Sequence, residues 1–135
     1  MTFNYIKAGI WHRPIIPVTI AYKNKEIRYL ALIDSGADFN VFHKDIADIL
    51  RIDLSKLKQV PFSGISPGIN IPQGSFAEVT LQVGKSTTKT MVLFSKDISD
   101  NGYGILGQQG FFNNFKVAFD YISKEITILQ HLRQN

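Results

Sequence analysis

The stretch LALIDSGAD, from Leu30 to Asp38, decides how the rest of this sequence is interpreted. Its four leading apolar residues predict a buried strand, and that strand delivers the carboxylate of Asp34 to its end. An ionised carboxylate in such a place costs free energy unless it is paired or hydrogen-bonded. The chain therefore needs a structural or a chemical reason to place an acid there.

The Asp-Ser-Gly triplet suits an acid that is held rigidly. Gly36 permits a close approach of backbone, and the hydroxyl of Ser35 can tie the junction to a neighbouring element. Two carboxylates held within hydrogen-bond distance share one proton, so that one acts as a base toward water and the other as an acid toward a carbonyl oxygen. The alternative is a turn aspartate that accepts backbone hydrogen bonds, which is common for Asp before Gly.

Length and composition indicate a folded globular protein. The chain has 135 residues, 44% hydrophobic and 19% charged, which predicts one domain spanning residues 1–135. No apolar run approaches the roughly 18 residues of a membrane span, and the N-terminus lacks a signal-peptide core. We expect a soluble, cytoplasmic protein with no membrane partner, although the absence of cysteine leaves the redox compartment open.

Charge and motif patterns argue against several other functions. The net charge is +4, but the basic residues are scattered between Lys7 and Arg133, which favours a solvated surface over a nucleic-acid partner. His12, His43 and His131 have no partners at metal-ligand spacing, so no metal site is predicted. The string Gly64-Ile65-Ser66-Pro67-Gly68 fits the letters of G-x-S-x-G, but it lies in a turn-rich segment and not between a strand and a helix, so it does not supply a nucleophile elbow. No P-loop or dinucleotide glycine pattern occurs, so no cofactor is predicted either.

Strand patterns dominate the chain. Runs of β-branched and aromatic residues predict strands at Pro14–Tyr22, Ile27–Ile33, Ser75–Val83, Thr87–Phe94, Phe115–Asp120 and Glu125–Leu129. Helical spacing predicts a short helix from His43 to Leu50. A helical turn is also expected from Gln108 to Asn114, after Ile105-Leu106-Gly107. A strand followed by glycine and then a helix therefore occurs twice, as LALIDSG and as YGILG, and only the first copy carries an acid.

The segment PFSGISPGINIPQG, residues 61–74, contains three prolines and three glycines. This density of turn residues predicts a mobile hairpin with its tip at Ser66-Pro67-Gly68. An ordinary surface hairpin is the alternative.

In their order along the chain, LALIDSGA, the glycine-rich hairpin and GILG resemble the retropepsin-type aspartic proteases, the single-lobed relatives of pepsin. The resemblance runs from about Pro14 to Leu129. It implies a mostly β fold, a closed β-barrel of the acid-protease (retropepsin) type with one or two short helices and a flap hairpin.

The same resemblance implies roles for the LALIDSGAD residues. Asp34 would be the catalytic aspartate, and the Ser35 hydroxyl would form a lock to backbone across a dimer axis. Gly36 and Ala37 would line the floor of the cleft. Asp38 falls where retroviral enzymes hold the backbone amides of the substrate, but it also suits a helix N-terminus.

The resemblance further implies a flap and a dimer. The flap residues that would close over the substrate are Ile65, Ser66, Pro67, Gly68 and Ile69. Gly107 is interpreted as structural, because it lets two backbones pass closely. Since D-S/T-G occurs once in the chain, the second aspartate must come from a second copy, which implies a homodimer acting on an extended polypeptide.

The sequence also departs from the retroviral pattern. Retroviral enzymes place an arginine that braces the dimer after the glycine, whereas Gln108 follows Gly107 here. This difference, and the longer segment before the hairpin, favour a prokaryotic or cellular member. The leading hypothesis is an aspartic endopeptidase; the alternative is a non-catalytic retropepsin-like module that binds peptide or serves a structural role.

Overall fold

The computed structural model describes residues 1–62, 71–99 and 102–132. Within these ranges lie a helix, α1 (Lys44–Ile49), and a short 3-10 helix at Leu54–Lys56. The strands are β1 (Thr2–Asn4), β2 (Ile6–Ala8), β3 (Trp11–Arg13), β4 (Ile15–Tyr22), β5 (Lys25–Ile33), β6 (Val41–His43), β7 (Val60–Pro61), β8 (Gln73–Val83), β9 (Ser86–Ser95), β10 (Tyr103–Leu106), β11 (Phe115–Asp120) and β12 (Glu125–Gln130).

Six strands close into a barrel. Their hydrogen-bonded order is β4-β5-β10-β6-β9-β8, and β8 pairs back onto β4 to complete the ring. The β5–β10 and β6–β9 pairs are parallel, whereas the other pairs in the ring are antiparallel. Ring closure pairs strand edges that would otherwise be open. The mostly β fold with a closed barrel, expected from the sequence, is confirmed.

Alternate side chains of the barrel strands point into one core. In β8, for example, Val79, Leu81 and Val83 are buried and Gln82 is exposed, which is the two-residue period of a strand. Helix α1 packs on this core through Ile46. The largest fully buried side chains are Phe42, Phe94, Phe111, Phe115, Ile16, Ile20, Leu50, Leu81, Leu93, Leu106, Ile126 and Ile128.

A second sheet of three strands, in the order β1-β12-β11, covers part of the barrel. Ile126 and Ile128 of β12 and Phe115 of β11 belong to the same buried cluster as the barrel core. The first strand thus pairs with the last one, with Thr2 opposite Thr127. The sequence analysis did not predict β1 or the β2–β3 hairpin, because strands of three residues are too short to show a period.

The helices differ in detail from the expectation. The predicted helix at residues 43–50 is present as α1, with His43 as its N-cap and Leu50 as its C-cap. The predicted helical turn at residues 108–114 is instead a series of turns. Gly110, at φ +111°, lies outside the helical range and interrupts it. None of the helices in the described ranges has the length and apolar character that a membrane crossing requires.

Candidate functional site

Asp34 lies where two central strands end side by side. In the parallel ladder of β5 and β10, Leu32 is opposite Ile105 and Ile33 is opposite Leu106. The backbone N–H of Asp34 donates to the carbonyl of Leu106 at 2.9 Å, which extends this ladder by one bond. Both strands thus fix the position of the Asp34 backbone, while its side chain is half-buried.

The chain turns tightly after Asp34. The Gly36 N–H donates to Oδ1 of Asp34 at 2.9 Å, and the Ala37 N–H donates to the Asp34 carbonyl at 3.1 Å. The carboxylate is therefore held by a backbone donor, as the structural interpretation of Asp before Gly requires. Because Ser35 and Gly36 are exposed, the turn also presents this carboxylate at the surface. A structural role and a chemical role for Asp34 are compatible in this geometry.

The segment after β10 holds the residues that follow the turn. The Gln108 N–H donates to the carbonyl of Ala37, and the Gln109 N–H donates to the carbonyl of Asp38, both at 2.8 Å. Phe39 forms a parallel bridge with Gln109. The backbone from Ala37 to Phe39 therefore runs as a short irregular extension of the sheet.

Gly107 is the point at which these two segments come closest. A Cβ at this position would lie 2.3 Å from the Phe39 carbonyl oxygen and 2.7 Å from that of Ala37, so any other residue would displace backbone. The Gly107 N–H donates at 3.1 Å to Oδ1 of Asn40, a fully buried side chain whose Nδ2 donates to the Met91 carbonyl at 3.3 Å. Sequence analysis did not identify Asn40, although a polar residue just before the apolar pair Val41-Phe42 was a usable signal.

The side chain of Gln108 contacts the turn directly. Its Nε2 donates to the Ser35 carbonyl at 2.5 Å. Gln108 occupies the position at which the sequence departs from the retroviral pattern, and its contact is a neutral hydrogen bond. In the described part of the chain, the ion pairs are His43–Asp45 and Lys44–Asp48, both near α1.

Asp38 lies on the surface at the far end of the turn. Helix α1 begins at Lys44, with Asp45 as the acid in its first turn. The interpretation of Asp38 as a helix N-terminal acid is therefore wrong. Its role toward substrate remains a prediction.

No protein-family model matches the chain. Among solved structures, the chain is similar to a retropepsin-like aspartic protease from Rickettsia conorii, with a TM-score of 0.67, 21% sequence identity, and coverage of 97% of this chain and 89% of that one. It is also similar to the retroviral protease-like domain of Ddi1 from Leishmania major, with a TM-score of 0.59, 18% identity, and coverage of 86% and 87%. The chain has the retropepsin-like fold.

This fold places two apolar side chains that the sequence analysis did not name beside the site. Leu32 and Ile105 are opposite each other in the β5–β10 ladder and half-buried. Their neighbours Ile33 and Leu106 point into the core, so Leu32 and Ile105 point to the other face of the sheet. Leu32 lies two residues before Asp34 and Ile105 lies two residues before Gly107, so the ends of both strands have an apolar flank.

A concave surface that encloses a volume of about 580 Å³ is lined by Phe39, the residue that follows Asp38. The rings of Phe39 and Phe76 form an edge-to-face pair in its wall, with centroids 5.0 Å apart. Met91 also lines the surface and is 45% exposed. The Asp38 end of the site therefore continues into a surface that is partly apolar.

The hairpin expected at residues 61–74 is described only at its base. Val60 and Pro61 pair antiparallel with Gly74 and Gln73. The Gln73 N–H donates to Oδ2 of Asp97 at 3.0 Å, which fastens the base to the loop after β9. The predicted flap residues Ile65, Ser66, Pro67, Gly68 and Ile69 lie outside the described residues.

The groups whose pKa is shifted from its ordinary value lie away from the Asp34 turn. Hydrogen bonds from Ser123 hold the pKa of Asp120 below its ordinary value, and those from Ser55 do the same for the pKa of Asp53. Burial raises the pKa of Tyr5. Across residues 1–62, 71–99 and 102–132, no three His, Asp or Glu side chains gather as a metal site would require.

Proposed function

We propose that this chain is an aspartic endopeptidase that acts as a homodimer on extended polypeptides. The observation that carries the proposal is the geometry of Asp34 in a retropepsin-like fold. Its half-buried carboxylate is held by the Gly36 N–H at the ends of two parallel strands, on a turn whose neighbouring residues are exposed. A carboxylate with a fixed position and access to the surface is what acid–base catalysis requires.

The chemistry needs a second carboxylate, and we propose that it is the Asp34 of a second copy. The triplet D-S/T-G occurs once in the sequence. Two facing carboxylates would share one proton, because both cannot ionise at once. The ionised one takes a proton from water as the water oxygen bonds to the peptide carbonyl carbon, and the protonated one gives its proton to the carbonyl oxygen. In the collapse of this tetrahedral intermediate the C–N bond breaks as the nitrogen takes the proton that came from water, and a hydroxyl of the intermediate returns its proton to the other carboxylate.

We assign supporting roles to the residues around Asp34. The exposure of Ser35 supports a contact of its hydroxyl with the second copy, and Gly36 and Ala37 would form the cleft floor. Asp38 would bind backbone amides of the substrate. Ile65 to Ile69 would form the flap.

Leu32 and Ile105 support a preference for bulky apolar residues beside the cleaved bond. Both side chains lie on the sheet face away from the core, next to the strand ends that carry Asp34 and Gly107. Apolar substrate side chains would remove these surfaces from water at about 25 cal/mol per Å².

The first test is Asp34→Asn, assayed by mass spectrometry on a library of unstructured peptides at several pH values. We expect wild type to cleave best at acidic pH, where one proton is shared by the pair. The variant should lose at least about a hundredfold in rate, the lower end of what acid–base groups supply. Asp48→Asn, at an exposed site paired with Lys44, is the control and should cleave like wild type. Cleavage by Asp34→Asn at the wild-type rate would contradict the mechanism.

A mixing experiment tests the homodimer. If each dyad takes one Asp34 from each copy, an excess of Asp34→Asn chains should draw wild-type chains into inactive mixed dimers and suppress their activity. Only residue 34 differs between the two kinds of chain, so variant and wild-type chains should associate equally well. Activity that stays proportional to the wild-type chain alone would contradict the shared dyad.

A further inference from the structure

One peptide unit connects Gln108 to the carboxylate of Asp34. The Ser35 carbonyl accepts from Nε2 of Gln108 at 2.5 Å, and the Gly36 N–H donates to Oδ1 of Asp34 at 2.9 Å. This carbonyl and this N–H are the two polar groups of the same peptide bond, which is planar. The orientation of one therefore fixes the orientation of the other.

We propose that Gln108 is a positioning residue that sets the direction of the backbone donor to Asp34. The inference rests on the proposed function for its catalytic consequence, but the contact itself is independent of it. Nothing in the sequence motif assigned this role to Gln108, which lies 73 residues from Ser35 along the chain.

The physical reason is the exposure of the turn. Ser35 and Gly36 are both exposed, so water competes for each polar group of their shared peptide. A side-chain donor on the carbonyl restricts rotation of the peptide plane. It also polarises the unit, which strengthens the hydrogen bond that the N–H makes at the other end.

Gln108 also holds the other side of the same turn. Its own N–H donates to the Ala37 carbonyl at 2.8 Å, so one residue contacts the backbone on both sides of Gly36. The main-chain bond does not depend on the identity of residue 108. A side-chain substitution therefore removes the Ser35 contact alone.

The test compares Gln108→Met, which keeps the length but has no donor, with Gln108→Lys, which restores one. Gln82→Met is the matched control, because Nε2 of Gln82 also donates to a backbone carbonyl, that of Gly84 at 3.0 Å. One hydrogen bond is worth a factor of roughly two to ten. In Gln108→Met, the Gly36 amide proton should exchange with water faster by that factor. The kcat should fall by the same factor, and KM should be unchanged. Gln108→Lys should recover part of both losses, and Gln82→Met should show neither.

Two readouts keep the outcomes separate. An unchanged Gly36 exchange rate in Gln108→Met overturns the contact, whatever the activity. The positioning role is overturned if Asp34→Asn abolishes cleavage, while Gln108→Met exchanges the Gly36 amide proton faster than wild type and keeps the wild-type kcat. If Asp34→Asn leaves cleavage intact, the proposed function fails, while Gly36 exchange still decides whether Gln108 orients the turn.

Discussion

The substitution Gly107→Ala probes the closest backbone approach at the candidate site. The added Cβ would meet the Phe39 carbonyl oxygen at 2.3 Å, about 1 Å short of an ordinary contact, and the Ala37 carbonyl oxygen at 2.7 Å. Both are backbone atoms, so the segment from Ala37 to Phe39 must move. That motion strains the bonds from Gln108 to Ala37 and from Gly107 to the buried side chain of Asn40.

The expected loss combines two costs. Overpacking a rigid site costs about 1–3 kcal/mol, and weakening a buried hydrogen bond costs about 1–3 kcal/mol more. Alanine also restricts the unfolded chain, which offsets about 0.4–1 kcal/mol. We therefore expect the free energy of unfolding to fall by about 1–5 kcal/mol, a large part of the total for a domain of this size.

Urea denaturation followed by circular dichroism measures this loss, and Gly36→Ala is its control. A Cβ on Gly36 meets only Oδ1 of Asp34, at 3.2 Å, and its φ lies outside the left-handed region. The control should stay within about 1 kcal/mol of wild type, yet lose cleavage activity because the Asp34 carboxylate is pushed aside. A free energy of unfolding within about 0.5 kcal/mol of wild type for Gly107→Ala would refute the reasoning.

Two further predictions concern groups outside the turn at Asp34. Asn40→Leu leaves the buried Gly107 N–H and the Met91 carbonyl without their side-chain partner, so the free energy of unfolding should fall by about 1–3 kcal/mol in urea; an unchanged midpoint would contradict this. Hydrogen bonds from Ser123 lower the pKa of Asp120 in the folded state, so its stabilisation is complete above the unfolded pKa of about 3.9 and is lost as pH falls through the folded value. In thermal melts, the Tm of wild type should exceed that of Asp120→Asn at pH 6, and this difference in Tm should shrink below about pH 4. A difference in Tm that does not depend on pH would contradict the linkage.

Local patterns predicted the long strands because each carries its own period. The runs Ser75–Val83 and Thr87–Phe94 were expected from sequence, and the structure has β8 at Gln73–Val83 and β9 at Ser86–Ser95. The helical turn expected at residues 108–114 was wrong, because the sequence carried no information on the backbone angle of Gly110. Periodicity thus predicts elements that extend over several residues and fails where one dihedral angle decides.

Sequence analysis named the residues of the Asp34 turn and Gly107, but it did not predict the contacts between these two segments. The turn at Asp34 follows from four consecutive residues. The contacts of Asn40 with Gly107 and of Gln108 with Ser35 span 67 and 73 residues and depend on which strands are neighbours. Leu32 likewise became a candidate only when the parallel ladder placed it opposite Ile105.

The proposed enzyme needs a correctly oriented Asp34 carboxylate and a second carboxylate beside it, and the contacts within one chain meet only the first of these requirements. Leu106, Gly36 and Gln108 supply hydrogen bonds to the turn from within the same chain. One chain therefore fixes where its carboxylate points, while the single D-S/T-G motif leaves it one carboxylate short of a dyad. Because the turn needs no partner for these bonds, association would bring together two preformed halves and would lose less conformational entropy than ordering a flexible loop. Under the proposed function, weak association would then be compatible with catalysis, since each copy would arrive with its carboxylate already oriented.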